Sequence, residues 1–322
     1  NFIVDEARAM SHDDLCLLTT NNRLEQALYR PFGATSAASA LAACFAARLL
    51  AELPHASPET IRALIVHSAD WTPAMLRRVG AASRADLREL PLLAKRVLLR
   101  RFGYGVPSLD RALYSAQNDL TLVVQDSLFP YERRNGSVRT REMHVHPLPW
   151  PRDMLLELGE AEVEMRVTLS YFIEPRPGDR GWKRRYQYAS HGLRFDAQHP
   201  LETEAQFRAR LSRAARAGGV EVVALDPADR WNLHTMVRNS GSIHSDTWRG
   251  TAAELAQRSA IGIFPVGGWW KDDVSMRRYD LPAAYSLVVS IRAPEQEIDL
   301  YSAVEAEIAA RVRAVAEIEV EG

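Results

Sequence analysis

Phe32-Gly33-Ala34-Thr35-Ser36-Ala37-Ala38-Ser39-Ala40-Leu41-Ala42-Ala43 is the stretch on which the reading of this chain turns. A turn of small residues runs straight into an alanine-rich segment that continues to Leu53. Alanine and leucine are strong helix formers. The segment is apolar nearly all round, the pattern of a helix buried inside a domain. Pro54 stops it. Thr35 and Ser36 then sit where a helix begins. Unpaired backbone N–H groups and the positive end of the dipole favour developing negative charge there. A nucleophilic serine needs that setting, because its tetrahedral intermediate carries an oxyanion. The plainer reading of Ser36 is a helix N-cap.

Outward from this stretch, the first third reads as helical. Ser57-Pro58-Glu59 has the order of cap, first helical residue and first-turn acid. Ile61, Leu64 and Ile65 follow on one face, and Trp71-Thr72-Pro73 ends the run. An amphipathic helix is expected over 83–101, kinked or split by Pro91. Phe102-Gly103-Tyr104-Gly105-Val106-Pro107 reads as a glycine-punctuated turn, with a short helix after it near 108–116. Beyond Leu120 the texture becomes strand-like, at 121–124, 162–171, 186–195, 259–266 and 285–291, and the tail alternates again through 312–320. Glu162 to Leu169 alternates polar and apolar, the signature of a half-buried strand. One helix, 202–216, interrupts these strands and is closed by Gly218-Gly219. The pattern predicts an α/β part over 1–117. A mainly antiparallel β-sandwich follows over 118–322, with the jelly roll as one form it can take.

Composition narrows the function. Of 322 residues, 47% are hydrophobic and 25% charged, which excludes a disordered chain. A net charge of -1 argues against a coat for nucleic acid or for an anionic membrane. The longest apolar stretch, Ala37 to Ala47, falls short of the roughly 18–20 residues that span a bilayer. Two cysteines, Cys16 and Cys44, make no disulfide framework and fit a reducing compartment. The chain opens on Asn1-Phe2-Ile3-Val4, which reads as the middle of a longer polypeptide.

Thr35-Ser36-Ala37-Ala38-Ser39 resembles the nucleophile segment of subtilisin-like serine peptidases, Gly-Thr-Ser-x-Ala-x-Pro opening a buried helix. Two flanking stretches agree in order and spacing. Thr60-Ile61-Arg62-Ala63-Leu64-Ile65-Val66-His67-Ser68-Ala69 resembles the next helix of that family. Gly103-Tyr104-Gly105-Val106-Pro107-Ser108-Leu109-Asp110-Arg111-Ala112-Leu113 resembles the segment that closes its catalytic domain. The resemblance covers about 1–117. It implies that Ser36 is the nucleophile, that its backbone N–H is one oxyanion donor, and that Gly33, Ala34 and Thr35 form the surroundings. It implies a polypeptide substrate and no cofactor or metal. The family places its Asp, its His and its side-chain oxyanion donor before the serine. Only 35 residues precede Ser36. This chain therefore resembles the C-terminal portion of a protease, inactive alone, with the N-terminal part of the same protease as its partner. Ala34 stands where the family has glycine, a position sensitive to Cβ if its φ is positive. Ala40 stands where the family has proline.

More loosely, 241–248, 265–271 and 285–291 resemble the appended domain of bacterial intracellular subtilases, which implies a cytoplasmic location. Some members are found with an AAA-class ATPase. Two rivals remain. One is a protease-fold relic acting as an interaction module through its β-rich domain. The other is an unrelated serine hydrolase using a histidine after Ser36, with His191, His199, His234 and His244 to choose from.

Other suggestive residues have plainer readings. His12-Asp13-Asp14 reads as a solvated loop and His67 as a helix histidine. His144-x-His146 puts both rings on one side of a strand, but no third metal ligand is evident. His244 reads as structural and Trp269-Trp270 as aromatic core. Arg100-Arg101 and Arg184-Arg185 read as solvated faces, and Glu160, Glu162 and Glu164 as a strand edge facing water.

Overall fold

Ser57 caps the first helix of the larger part of the molecule as its sequence signal predicts. Its hydroxyl accepts from the Thr60 N–H, and Pro58 occupies the first turn. The computed structural model describes residues 2–5, 8–11, 13–117, 121–148, 150, 152–177, 188–218 and 230–292. The chain divides into two compact units, Asn1–His55 and Ala56–Gly322. The expected tail strand at 312–320, Arg184-Arg185 and the start of the strand expected at 186 lie outside the described residues.

The first unit holds two antiparallel hairpins and a helix. Strand β1 (Phe2–Asp5) pairs with β2 (Arg8–Ser11), and β3 (Leu17–Thr20) with β4 (Tyr29–Phe32). None of these strands was legible in the sequence. Helix α1 runs over Ala34–Glu52. It is longer than the apolar stretch counted from sequence, and by length and composition it is able to cross a membrane, as a core helix also would be. The expectation that α1 is buried fails here. Only Ala37 and Leu49 are buried, while Leu41 is 55% exposed. Two small hairpins cannot cover a helix that is apolar on every side.

In the second unit, α2 (Pro58–His67) is followed by α3 (Pro73–Arg77), α4 (Leu92–Phe102) and α5 (Leu109–Gln117). Thr72-Pro73, read as a stop, also starts α3, with Thr72 as its cap. Pro91 splits the helix expected over 83–101, leaving a 3-10 turn at Ala85–Glu89 before α4. Four antiparallel strands then form a sheet in the order β11 (Ile243–Thr251), β9 (Glu162–Tyr171), β13 (Ala283–Arg292), β5 (Thr121–Leu128). A second antiparallel sheet has the order β10 (Gly192–Ala197), β12 (Ala260–Val266), β8 (His144–Pro147). The hairpin of β6 (Tyr131–Arg134) and β7 (Ser137–Thr140) turns at Asn135-Gly136, both with positive φ. Helices α6 (Arg152–Leu158), α7 (Glu204–Arg216), α8 (Thr235–Arg238), α9 (Ala252–Leu255) and α10 (Trp269–Asp272) complete the unit. Thr203 and Gln206 form a capping box at the start of α7.

Register decides the core. Leu169 faces Leu287, Val167 faces Val289 and Met165 faces Ile291 across β9 and β13. These side chains share one hydrophobic cluster with Leu193 and Phe195 of β10 and Ile261 and Ile263 of β12. Both sheets therefore feed a single core. The opposite face of β9 and β13 carries Arg166, Thr168, Ser170, Ser286 and Ser290, and α2 lies on it. Thr60 Oγ1 donates to Ser286 Oγ at 2.9 Å, and Arg62 Nε donates to Ser170 Oγ at 2.9 Å. Arg166 donates to the carbonyls of Ala69 and Val66 at 2.7 and 3.1 Å. Residues 167–171 are consequently buried on both faces, so the half-buried reading of β9 holds only for its first half. Glu164 does not simply face water but pairs with Arg249 of the neighbouring strand.

One charge lies deep in the core. Arg238 is 1% exposed, stacks over Phe195 and Trp231 at 4.4 and 4.7 Å, and lies 3.8 Å from Asp246. The guanidinium is tolerated there because aromatic faces and a carboxylate replace its water.

Candidate active site

The second hairpin of the first unit delivers the chain into α1 through a sharp turn. Gly33 is the N-cap, extended at φ -124 and ψ -153, and it offers no side-chain cap. Ala34 follows at φ 64, in the left-handed region. Thr35 and Ser36 then occupy the first helical turn. The N-cap reading of Ser36 is thereby excluded, since Gly33 holds that place. The Ser36 side chain is exposed, next to the buried Ala37. Its hydroxyl has no hydrogen-bond partner among the described residues. Ser39 Oγ, one turn on, is tied back to the Thr35 carbonyl at 3.0 Å.

The first-turn N–H groups of α1 lack carbonyl partners within the helix. A hydroxyl here is open to an incoming group, and the dipole of a 19-residue helix favours an anion beside it. What this geometry lacks is a base. His12 lies outside the described residues. The other histidines that the sequence raised belong to the second unit, where His199 donates its backbone N–H to the Glu202 carboxylate at 3.0 Å. His67 is buried between Thr168 Oγ1 at 2.9 Å and Ser290 Oγ at 2.7 Å. Burial, with Arg166 and Arg292 adding to it, holds its pKa well below the usual range. His191 sits against Ser190 Oγ at 2.9 Å, and burial pushes its pKa down to about 4. His244 bonds the Gly241 carbonyl, and burial brings it down to about 3. His234 caps α8, its Nδ1 accepting from the Met236 N–H.

His144 and His146 do converge, as their spacing predicts, but on a tyrosine. Their ring nitrogens lie 2.7 and 2.8 Å from the Tyr285 hydroxyl, and Asp126 is 3.1 Å from His144. Among the described residues no group of three or more His, Cys, Asp and Glu side chains is placed to hold a metal ion. Trp269 and Trp270 are buried, their indole N–H groups donating to the carbonyl and the carboxylate of Glu174.

Ala34 invites a direct test. A left-handed alanine costs roughly 1–2 kcal/mol, part of which glycine returns as unfolded-state entropy. Ala34→Gly is expected to stabilise the chain by about 0.5–1 kcal/mol, read from the urea midpoint. A loss of stability would show that Ala34 carries no backbone strain.

No curated protein and no solved structure matches the chain. A family model does, over residues 4–105, and its description is the subtilase family. The match contains the whole Gly33–Ser36 turn and α1, and it ends at Gly105 of the glycine-punctuated turn. Residues 4–105 are thus a subtilase-like peptidase segment, with Ser36 exposed at the start of its longest helix.

Proposed function

We propose that the chain is the nucleophile-bearing portion of a serine endopeptidase. The observation that carries this is Ser36, an unpartnered hydroxyl on the first turn of α1, inside the stretch that matches the subtilase family. In this reading Ser36 Oγ attacks a peptide carbonyl, and its own backbone N–H helps to hold the oxyanion. A histidine takes the hydroxyl proton and an aspartate orients it. Both are supplied by the N-terminal part of the same protease. Water then releases the acyl group. The catalytic part runs to about residue 117, and the two sheets of 118–322 are halves of an accessory sandwich. The loose resemblance of the second part supports a bacterial cytoplasmic enzyme and an AAA-type ATPase as its partner.

The isolated chain is inactive on this account, since losing the base costs on the order of 10⁶-fold in kcat in subtilisin itself. A fluorophosphonate probe tests both halves of the statement. The isolated chain should stay unlabelled. The protein carrying the N-terminal part should be labelled, and Ser36→Ala should abolish that label. Prompt stoichiometric labelling of the isolated chain would mean that the base lies within it. The strained Ala34 and the departure at Ala40 favour a second reading, a relic whose β-rich part docks a partner. A longer protein left unlabelled at Ser36 would select that reading.

A further inference from the structure

A cleft of about 460 Å³ opens in the second unit, between β8, α6, α7 and the segment that follows α9. Its apolar wall is made by Val145, Leu148, Trp150, Leu155 and Leu255, and its charged rim by Arg152, Glu204, Arg208 and Arg258. The size suits a small ligand. The rim carries three guanidiniums against one carboxylate. Arg208 is already paired with Glu204 at 2.7 Å. Arg258 stacks on Trp248 at 4.9 Å and donates to the Gln198 carbonyl. Arg152, the exposed first residue of α6, has no ion-pair partner among the described residues. The Trp150 side chain is buried, and its Nε1, closed off from the cleft, has no hydrogen-bond partner among the described residues. The cleft thus has one unmatched cation beside an apolar wall.

We propose that this cleft binds an apolar molecule that ends in a carboxylate. Its body packs on Trp150, Leu148 and Leu155. Its carboxylate faces Arg152. A single negative charge fits better than several, because Glu204 stands on the same rim. Two sources share this chemistry: the C-terminus of a peptide with an apolar last residue, and an alkyl carboxylate. The site is independent of Ser36 and stands whatever the fate of the peptidase reading.

Calorimetric titration of the full chain tests it with three probes: N-acetyl-Ala-Leu with a free carboxyl, the same dipeptide as its C-terminal amide, and octanoate. At least one of the two acids should bind, and the one that does names the source. The amide should bind about tenfold or more weakly than the free dipeptide if the peptide is the source, as expected for loss of a charge-assisted contact. Arg152→Gln, an exposed change that leaves the core intact, should weaken the bound acid about tenfold. Trp150→Phe should remove the fluorescence change that accompanies binding. Failure of both acids at about 10 mM overturns the proposal. So does a dipeptide acid that binds but no more tightly than its amide, or an Arg152→Gln protein that binds the acid unchanged.

Discussion

Gly105→Ala is expected to destabilise the second unit by about 3–5 kcal/mol, as the sum of backbone strain and two broken hydrogen bonds. Gly105 has φ 100, and a Cβ built on it would lie 2.1 Å from the Asp70 carbonyl oxygen. That carbonyl accepts from the Val106 N–H at 2.8 Å, while the Asp70 N–H donates to the Val106 carbonyl at 3.0 Å. The pair ties the residues after α2 to the glycine-punctuated turn. Neither side can retreat cheaply, because the Asp70 carboxylate is also held by Arg84 at 2.6 Å and Arg111 at 2.8 Å. Gly103→Ala is the control. It has φ 55 with open space around the Cβ position, so it carries only backbone strain, about 1–3 kcal/mol. Urea unfolding of the two variants should separate them clearly. Equal losses would mean that the Asp70 contact contributes nothing.

The second large effect is acid sensitivity. His67, His191 and His244 are buried and neutral, with native pKa values below the unfolded value of about 6.5. Below pH 6.5 the unfolded chain takes up protons that the native chain refuses. Stability is therefore complete above about pH 6.5 and falls as the pH drops. The loss from His191 is complete near pH 4 and that from His244 near pH 3. Each group contributes at most about 1.4 kcal/mol per pH unit, so the three together approach about 4 kcal/mol per unit. Paired carboxylates such as Glu202 act only at lower pH, because their native values lie below an already acidic reference. Denaturant melts at pH 7.5, 6.5, 5.5 and 5.0 should show this slope, and His191→Asn should remove about one third of it. A flat profile between pH 6.5 and 5.0 would show that these rings are hydrated or already charged in the folded protein.

Much of the local structure was legible before any coordinates. Ser57-Pro58-Glu59 announced α2, the alanine run announced α1, and the strand stretches fell within a few residues of β5, β9, β12 and β13. Each of these signals is short-range, a cap or a period that neighbouring residues satisfy among themselves. Strand β11 was met only as the motif Gly241 to Trp248, because Ser245, Asp246 and Thr247 break the expected alternation. They are polar and buried because Tyr104, Arg166 and Thr168 bond Ser245, the Leu233 N–H donates to Asp246, and Arg84 reaches the Thr247 hydroxyl. The hairpin signal Asn135-Gly136 was present in the sequence and passed over. Glu164 was assigned to water because its partner, Arg249, is distant along the chain.

By itself, the sequence determined that Ser36 would open an alanine-rich helix after a small-residue turn. It also determined that helices would give way to strands past Leu120. Both follow from backbone propensities and from periodicities a few residues long. Only the tertiary structure decided that Gly33, not Ser36, caps that helix and that the hydroxyl faces outward. Only it decided that a face of serines and threonines would be covered by α2 rather than by water, with His67 sealed between them. A polar strand face reads the same whether its hydrogen bonds go to solvent or to a helix a hundred residues away. The packing of long-range partners settles which, and local sequence does not record it.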